Sequence, residues 1–227
     1  MSGALPDLTP FFSRYESIAR EADALFERVR SLHPEQVLCR ERCSSCCHAL
    51  FDLSLVEALY LNARFRERFP EGEERGRILE EADRADRAIA RIKHRIYKES
   101  KAGRDSNELL AEAAALTVRC PLLSGEDLCL LYDVRPVTCR IYGVPTAIGG
   151  TAHTCGKTGF EPGKPYPTVA LDKMQFRLSS LSVELAEAIG TAYKELASMY
   201  VPVSSALLTT YDASYLGVGG VAPEKDG

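Results

Sequence analysis

The 227-residue chain carries eight cysteines in two groups. Four lie in the run Cys39-Arg40-Glu41-Arg42-Cys43-Ser44-Ser45-Cys46-Cys47-His48, and the others are Cys120, Cys129, Cys139 and Cys155. Two cysteines two residues apart on a turn can aim both sulfurs at one ion, which is why that spacing recurs in zinc and iron sites. Cys46 and Cys47 are adjacent, so their side chains diverge and suit two neighbouring centres better than one. Eight thiolates are also twice the usual four of a zinc or iron–sulfur site. Centres drawing ligands from both groups would clamp the N-terminal half onto a later, irregular segment, and the binding energy of the ions would become folding energy.

This reading depends on a reducing compartment. Met1 to Asp7 holds no basic region followed by an apolar stretch, so no export signal is expected and a cytoplasmic location is. There, grouped thiols are metal ligands or redox groups rather than disulfides. No apolar run approaches the roughly 18 residues that a membrane span needs. Against 28 basic residues stand 32 acidic ones, a net charge of −4, which does not suggest a general binder of polyanions.

Outside the cysteine groups the pattern is helical. Thr9 and Pro10 have the form of a helix start, and Phe11, Phe12, Tyr15, Ile18, Ala22, Leu25, Phe26 and Val29 recur at three- and four-residue steps up to His33-Pro34. Ser54-Leu55-Val56-Glu57 reads as a capping box opening a second helix. A third is expected from Glu73 to Lys98, with Ile78, Ala82, Ala85, Ile89, Ile92 and Ile96 along one side. A short one is expected over Asn107 to Thr117, and a last long one over Met174 to Met199. A short piece over Ser204 to Tyr211 would follow. Prolines and glycines break the pattern between Cys120 and Phe160, where Ser124-Gly125-Glu126-Asp127 and Gly149-Gly150 are hairpin turns and Arg135-Pro136 opens a single helical turn holding Cys139. The expected fold is mainly α. Long antiparallel helices pack around a small irregular cysteine-rich segment with one or two short β-hairpins. The expected organisation is a single domain over 1–216, its metal-binding segment at 39–155, and a flexible tail over 217–227.

Cys43, Cys46 and Cys47, then Cys120-Pro121-x-Leu123, then Cys129-x-x-Tyr132-x-x-Arg135-Pro136-x-x-Cys139-Arg140 and finally Cys155 together resemble the YkgJ family of CxxCxxCC zinc- or iron-chelating proteins. The likeness covers roughly Cys39 to Cys155. It departs from the family where three residues, rather than the usual two, separate Cys39 from Cys43. The resemblance implies metal binding. The three-residue gap also gives Cys39-x3-Cys43-x2-Cys46 the spacing of a radical S-adenosylmethionine cluster, and flagellin lysine N-methylases resemble the same cysteine-rich family. The alternative is therefore an iron–sulfur-dependent S-adenosylmethionine enzyme such as a protein lysine N-methylase. That cluster normally follows the first strand of a β/α barrel, whereas helical periodicity surrounds it here.

All eight cysteines are thus candidate metal ligands, for a zinc or iron ion or a 4Fe-4S cluster, with cluster chemistry slightly favoured by the adjacent pair. Arg40, Arg42, Arg119, Arg135 and Arg140 flank them and could offset the net −2 of a divalent ion in four thiolates. Tyr132 reads as a core residue. His48 and His153 read as neighbours of the site rather than ligands, and His33 and His94 as surface residues. The basic run Arg91, Lys93, Arg95, Lys98, Lys101 and Arg104 reads as a solvated or ion-paired face rather than a nucleic-acid surface. A protein partner or protein substrate stays open.

Overall fold

The computed structural model describes residues 6–219. It is mainly α with short strands, the architecture that the periodicity predicts. Helix α1 spans Thr9–Leu32 and buries Tyr15, Ile18, Ala19, Ala22 and Val29. Its first turn is capped differently from expectation. Leu8 rather than Thr9 is the N-cap, with no side-chain cap, and the Thr9 N–H donates to Asp7 Oδ1 at 2.9 Å just ahead of the helix.

Helix α2, Leu55–Arg68, is the centre of the molecule. Every residue from Leu55 to Asn62 is buried, as befits a helix covered on all sides. One side packs against α1, against α6 (Leu171–Ala188) and against the short α5 (Val137–Ile141), through residues such as Leu59, Ile18, Leu181 and Ile141. The other side packs against α3 (Glu73–Lys101) and α7 (Val203–Leu208), through Leu61, Phe65, Ile78, Ala82 and Leu207. The expected capping box forms at Ser54 and Glu57. The neighbouring Val56 N–H is taken up from outside the helix, by Ser182 Oγ of α6 at 3.2 Å. Farther along α2, the Asn62 amide donates to the carbonyls of Ala206 at 2.8 Å and Thr209 at 3.0 Å, covering the exposed end of α7.

Helix α3 buries Ile78, Ala82 and Ala85, whereas Ile89, Ile92 and Ile96 are only half-buried. Three of the six members of its basic run pair with acids. Lys93 meets Asp52 at 2.7 Å, Arg95 meets Glu112 of α4 (Ser106–Ala115) at 2.8 Å, and Arg104 meets Glu99 and Glu112.

Two small sheets complete the fold. Strand β1 (Asp52–Ser54) pairs antiparallel with β5 (Tyr200–Pro202), aligning Leu53 with Val201. Strand β2 (Thr146–Ile148) pairs antiparallel with β3 (Thr151–His153) across Gly149-Gly150, as predicted, and parallel with β4 (Val169–Ala170). The sequence reading runs the last long helix too far. α6 stops at Ala188 rather than near Met199, because Gly190 takes φ +65, a left-handed conformation that ends helices. Thr191 Oγ1 then donates to the Leu216 carbonyl at 2.6 Å, and the chain returns as β5. Of the expected tail, Gly217 accepts the Ala192 N–H at 2.9 Å and Val218 bridges to Thr191, while 220–227 lie outside the described residues.

Candidate metal centre

Five stretches of chain bring in the cysteines. After α1, the loop through Cys39 turns at Arg42, whose φ is +66, and the Cys43 N–H donates to the Arg40 carbonyl at 3.0 Å. A 3-10 turn over Ser45–His48 then presents Cys46 and Cys47 side by side. The segment after α4 is joined to this turn. The Cys120 N–H donates to the Cys47 carbonyl at 2.7 Å, Val118 N–H to the His48 carbonyl at 3.2 Å, and Thr117 bridges to Ala49. The hairpin expected at Ser124–Asp127 closes through Leu130 N–H to the Leu122 carbonyl at 2.8 Å and bridges Leu123 to Cys129. Arg119 braces it by donating to the carbonyls of Leu123 and Ser124. Cys139 rides on α5, the predicted single turn after Pro136. Cys155 follows β3, where Gly159 N–H donates to the Gln36 carbonyl at 2.8 Å and ties the turn back to the exit of α1.

All eight cysteines are free thiols, and all eight line two adjoining cavities. The larger cavity measures about 710 Å³ and is bordered by Cys39, Cys43, Cys155 and charged side chains such as Arg40, Arg42 and Asp127. The smaller one is narrow, about 50 Å³, and is walled by Cys120 with Leu50, Phe51, Val118, Leu122 and Leu131. Cys46, Cys47, Cys129 and Cys139 border both. Among the described residues, no three Cys, His, Asp or Glu side chains already converge at metal-binding geometry. Four of the sulfurs instead interact in a row, Cys139 with Cys46, Cys46 with Cys47 and Cys47 with Cys129. Donor type and number nevertheless fit a thiolate-bound ion: eight sulfurs border a shared space, and no disulfide consumes any of them.

The pairing sets the thiol acidities. Hydrogen bonds from Cys139 and Cys47, with the Arg135 charge, hold the Cys46 thiol well below the usual range. A hydrogen bond from Cys47 also lowers the Cys129 thiol pKa. The donors are displaced the other way. Cys47 is raised by its bonds to Cys129 and Cys46 and by burial, and Cys139 by its bond to Cys46 and by burial. Burial pushes Cys39 and Cys120 each up to about 12.

Several residues shape the site without a thiol. Arg140 is 7% exposed and binds Asp23 of α1, while donating to the carbonyls of Arg135 and Asp133. Arg135 also reaches Asp23, at 3.2 Å, and lies 4.0 Å over the Tyr132 ring. Tyr132 is 63% exposed, so it is a platform for Arg135 and not the core residue that its sequence context suggests. Glu57, fully within the core, accepts the Val137 N–H of α5 at 3.2 Å as well as the Ser54 N–H, so one carboxylate joins the starts of α2 and α5. Burial raises its pKa above the ordinary carboxylate value. His48 Nδ1 contacts the Ser44 carbonyl at 3.0 Å and His153 is exposed on β3. His33 is not a free surface residue, since its ring lies 5.3 Å from Tyr166.

Two contributors escape sequence reading. Asp23 is one acid among several on the polar side of α1, and nothing local marks it as the partner of two arginines far along the chain. Gly143 is more telling: a Cβ there would stand 2.0 Å from Cys39 Sγ. Its signal is a glycine inside the apolar run Ile141-Tyr142-Gly143-Val144, a place where a side chain would otherwise be expected.

The sequence model of one protein family, CxxCxxCC, described as a "putative zinc- or iron-chelating domain", matches residues 38–156. No curated protein and no solved structure matches the chain. No helix among the described residues is long and apolar enough to cross a membrane.

Proposed function

Because the chain belongs to the CxxCxxCC family of zinc- or iron-chelating domains, we propose that it binds zinc or iron through Cys39, Cys43, Cys46, Cys47, Cys120, Cys129, Cys139 and Cys155. The observation that carries this reading is the gathering of all eight free thiols around two adjoining cavities from segments far apart in sequence. The bound ion supplies the positive charge that holds the thiolates together. Arg135, close to Cys46 and Cys129, offsets their excess negative charge. The finer proposal is an iron–sulfur cluster, favoured by the vicinal pair and the all-sulfur donor set. The segment 39–155 and the helices around it act as one domain.

Metal analysis with an absorbance scan of anaerobically purified protein tests both levels. Iron with a visible charge-transfer band supports the cluster. Stoichiometric zinc with no band removes the cluster and keeps the ion. A metal-free protein with four disulfides overturns the whole reading. The lysine N-methylase alternative rests on the Cys39, Cys43 and Cys46 spacing, which here follows α1 and leads into β1. S-adenosylmethionine binding by calorimetry under reducing conditions would favour it, and no heat of binding would end it.

A further inference from the structure

We infer that the larger cavity is also the binding site of a small zwitterionic thiol of amino-acid character, which enters beside the bound metal and offers it a further sulfur. The inference rests on the metal reading above and adds a ligand to it.

The cavity is too large for metal alone. It measures about 710 Å³. A four-coordinate ion is enclosed by its own sulfurs at about 2.3 Å, so ions held by these cysteines leave most of that volume unfilled. Pockets for small molecules measure roughly 300–1,000 Å³. The walls suit one too, since Phe26, Leu128, Tyr132 and Tyr142 supply hydrocarbon among the sulfurs and charges.

The charges around it are only partly matched within the protein. Asp23 is taken by Arg135 and Arg140, and Glu27 by Arg30. Arg40, Glu41, Arg42 and Asp127 line the same cavity, and among the described residues none of these four side chains has an ion-pair or hydrogen-bond partner. They stand on two turns, one at Arg42 and one at Asp127, each with a left-handed φ, +66 and +60. Two cations and two acids around one space match a molecule that carries both a carboxylate and an ammonium group. A simple anion would face the two acids unpaired, and a simple cation the two arginines.

The third group follows from the donors. Seven of the eight cysteines border this cavity, and a metal selected by sulfur accepts another thiolate more readily than a carboxylate or an amine. Cysteine and glutathione carry all three groups within a few bonds, so either can meet the charged rim and the metal together. Entry is a ligand exchange. The incoming thiol gives its proton to the cysteine thiolate that it replaces, the metal trades one sulfur for another, and no electron is transferred. Cys39, Cys43 and Cys155, which border the larger cavity alone, are the sulfurs open to replacement.

The test loads the full chain with cobalt(II) under anaerobic conditions and titrates in glutathione, following the sulfur-to-cobalt absorbance. A saturable change is expected, with the cobalt still on the protein after desalting. S-methylglutathione keeps the charges but blocks the sulfur, so it should compete with glutathione without changing the spectrum itself. 2-Mercaptoethanol, an uncharged thiol, should need a concentration higher by roughly tenfold or more. Asp127→Asn suits the left-handed turn and should weaken glutathione binding by roughly threefold while leaving cobalt uptake and circular dichroism unchanged. Arg40→Gln with Arg42→Asn should weaken it by roughly fivefold, measured per cobalt bound. An unchanged spectrum, equal potency of 2-mercaptoethanol, no competition by S-methylglutathione, or cobalt carried off the protein by the thiol would overturn the ligand site while leaving thiolate binding of metal intact. A chain that takes up no cobalt overturns the metal reading, and the ligand site with it.

Discussion

Cys39 occupies a notch that exists only because residue 143 has no side chain. With a Cβ at 2.0 Å, either the sulfur or the backbone beside it has to move. Gly143→Ala is therefore expected to lower the amount of zinc bound per chain. Gly125→Ala, where nothing lies within 4 Å, should leave it unchanged. Inductively coupled plasma measurements on the two variants check the contrast. The thiol acidities give a second prediction at this scale. Cys39 and Cys120 stay protonated in the folded, metal-free protein up to about 12, against 9.0 for an unperturbed thiol. The folded state therefore holds more protons than the unfolded state between those values, so stability falls as pH climbs from about 9 towards 12. Denaturant midpoints of the metal-free protein should drop across that window, and less so in a Cys39→Ser, Cys120→Ser double variant. Metal uptake must also displace those protons, so zinc affinity should rise with pH. Calorimetry in buffers of differing ionisation enthalpy counts the protons released. Sequence alone could nominate these sulfurs, because spacing reveals ligand type. It could not sort them into sets, because the gaps between Cys120, Cys129, Cys139 and Cys155 say nothing about which sulfurs meet.

At the level of elements, the helix starts were legible where the signal was chemical and local. Ser54 and Glu57 announce α2 by their own side chains. Ser54→Ala should cost about 1 kcal/mol, measured by urea denaturation, as for other lost caps. The ends were less legible. Ile189, Tyr193 and Leu196 keep an apolar rhythm past the true end of α6, and only the left-handed turn at Gly190 breaks it. Strands β1 and β5 were invisible because each is three residues long and pairs with a segment far away. The same distance hid Asp23, which holds α1 against the α5 turn through Arg135 and Arg140. Asp23→Ala would leave the buried Arg140 without its carboxylate. A loss of about 2 kcal/mol is expected, below the 3–5 of a fully buried pair, because Asp23 itself is 38% exposed. Thermal denaturation of the variant, with Glu21→Ala as an exposed control, measures the difference.

Across the whole molecule, metal bound as proposed would tie the chain around α1 and the start of α2 to the stretch between Cys120 and Cys155. Removing metal is expected to loosen that tie while the two apolar layers around α2 persist. At a thousandfold excess of ion over its dissociation constant, binding adds about 4 kcal/mol to stability, which for a chain of this size raises Tm by about 10 °C. Differential scanning calorimetry with and without chelator reads that shift. Limited proteolysis should show the first new cuts in the loops around Cys39 and Cys155, where Leu38, Arg40, Thr154 and Gly156 are already exposed.

The eight cysteines lie on both sides of three intervening helices, α2, α3 and α4, and this has a bearing on biosynthesis. A ribosome delivers Cys39, Cys43, Cys46 and Cys47 long before Cys155 exists. The nascent chain thus carries four unsated thiols past every passing oxidant and stray cation. If all eight thiols take part as proposed, loading waits for the synthesis of Cys155, and reductant must guard the early sulfurs until then.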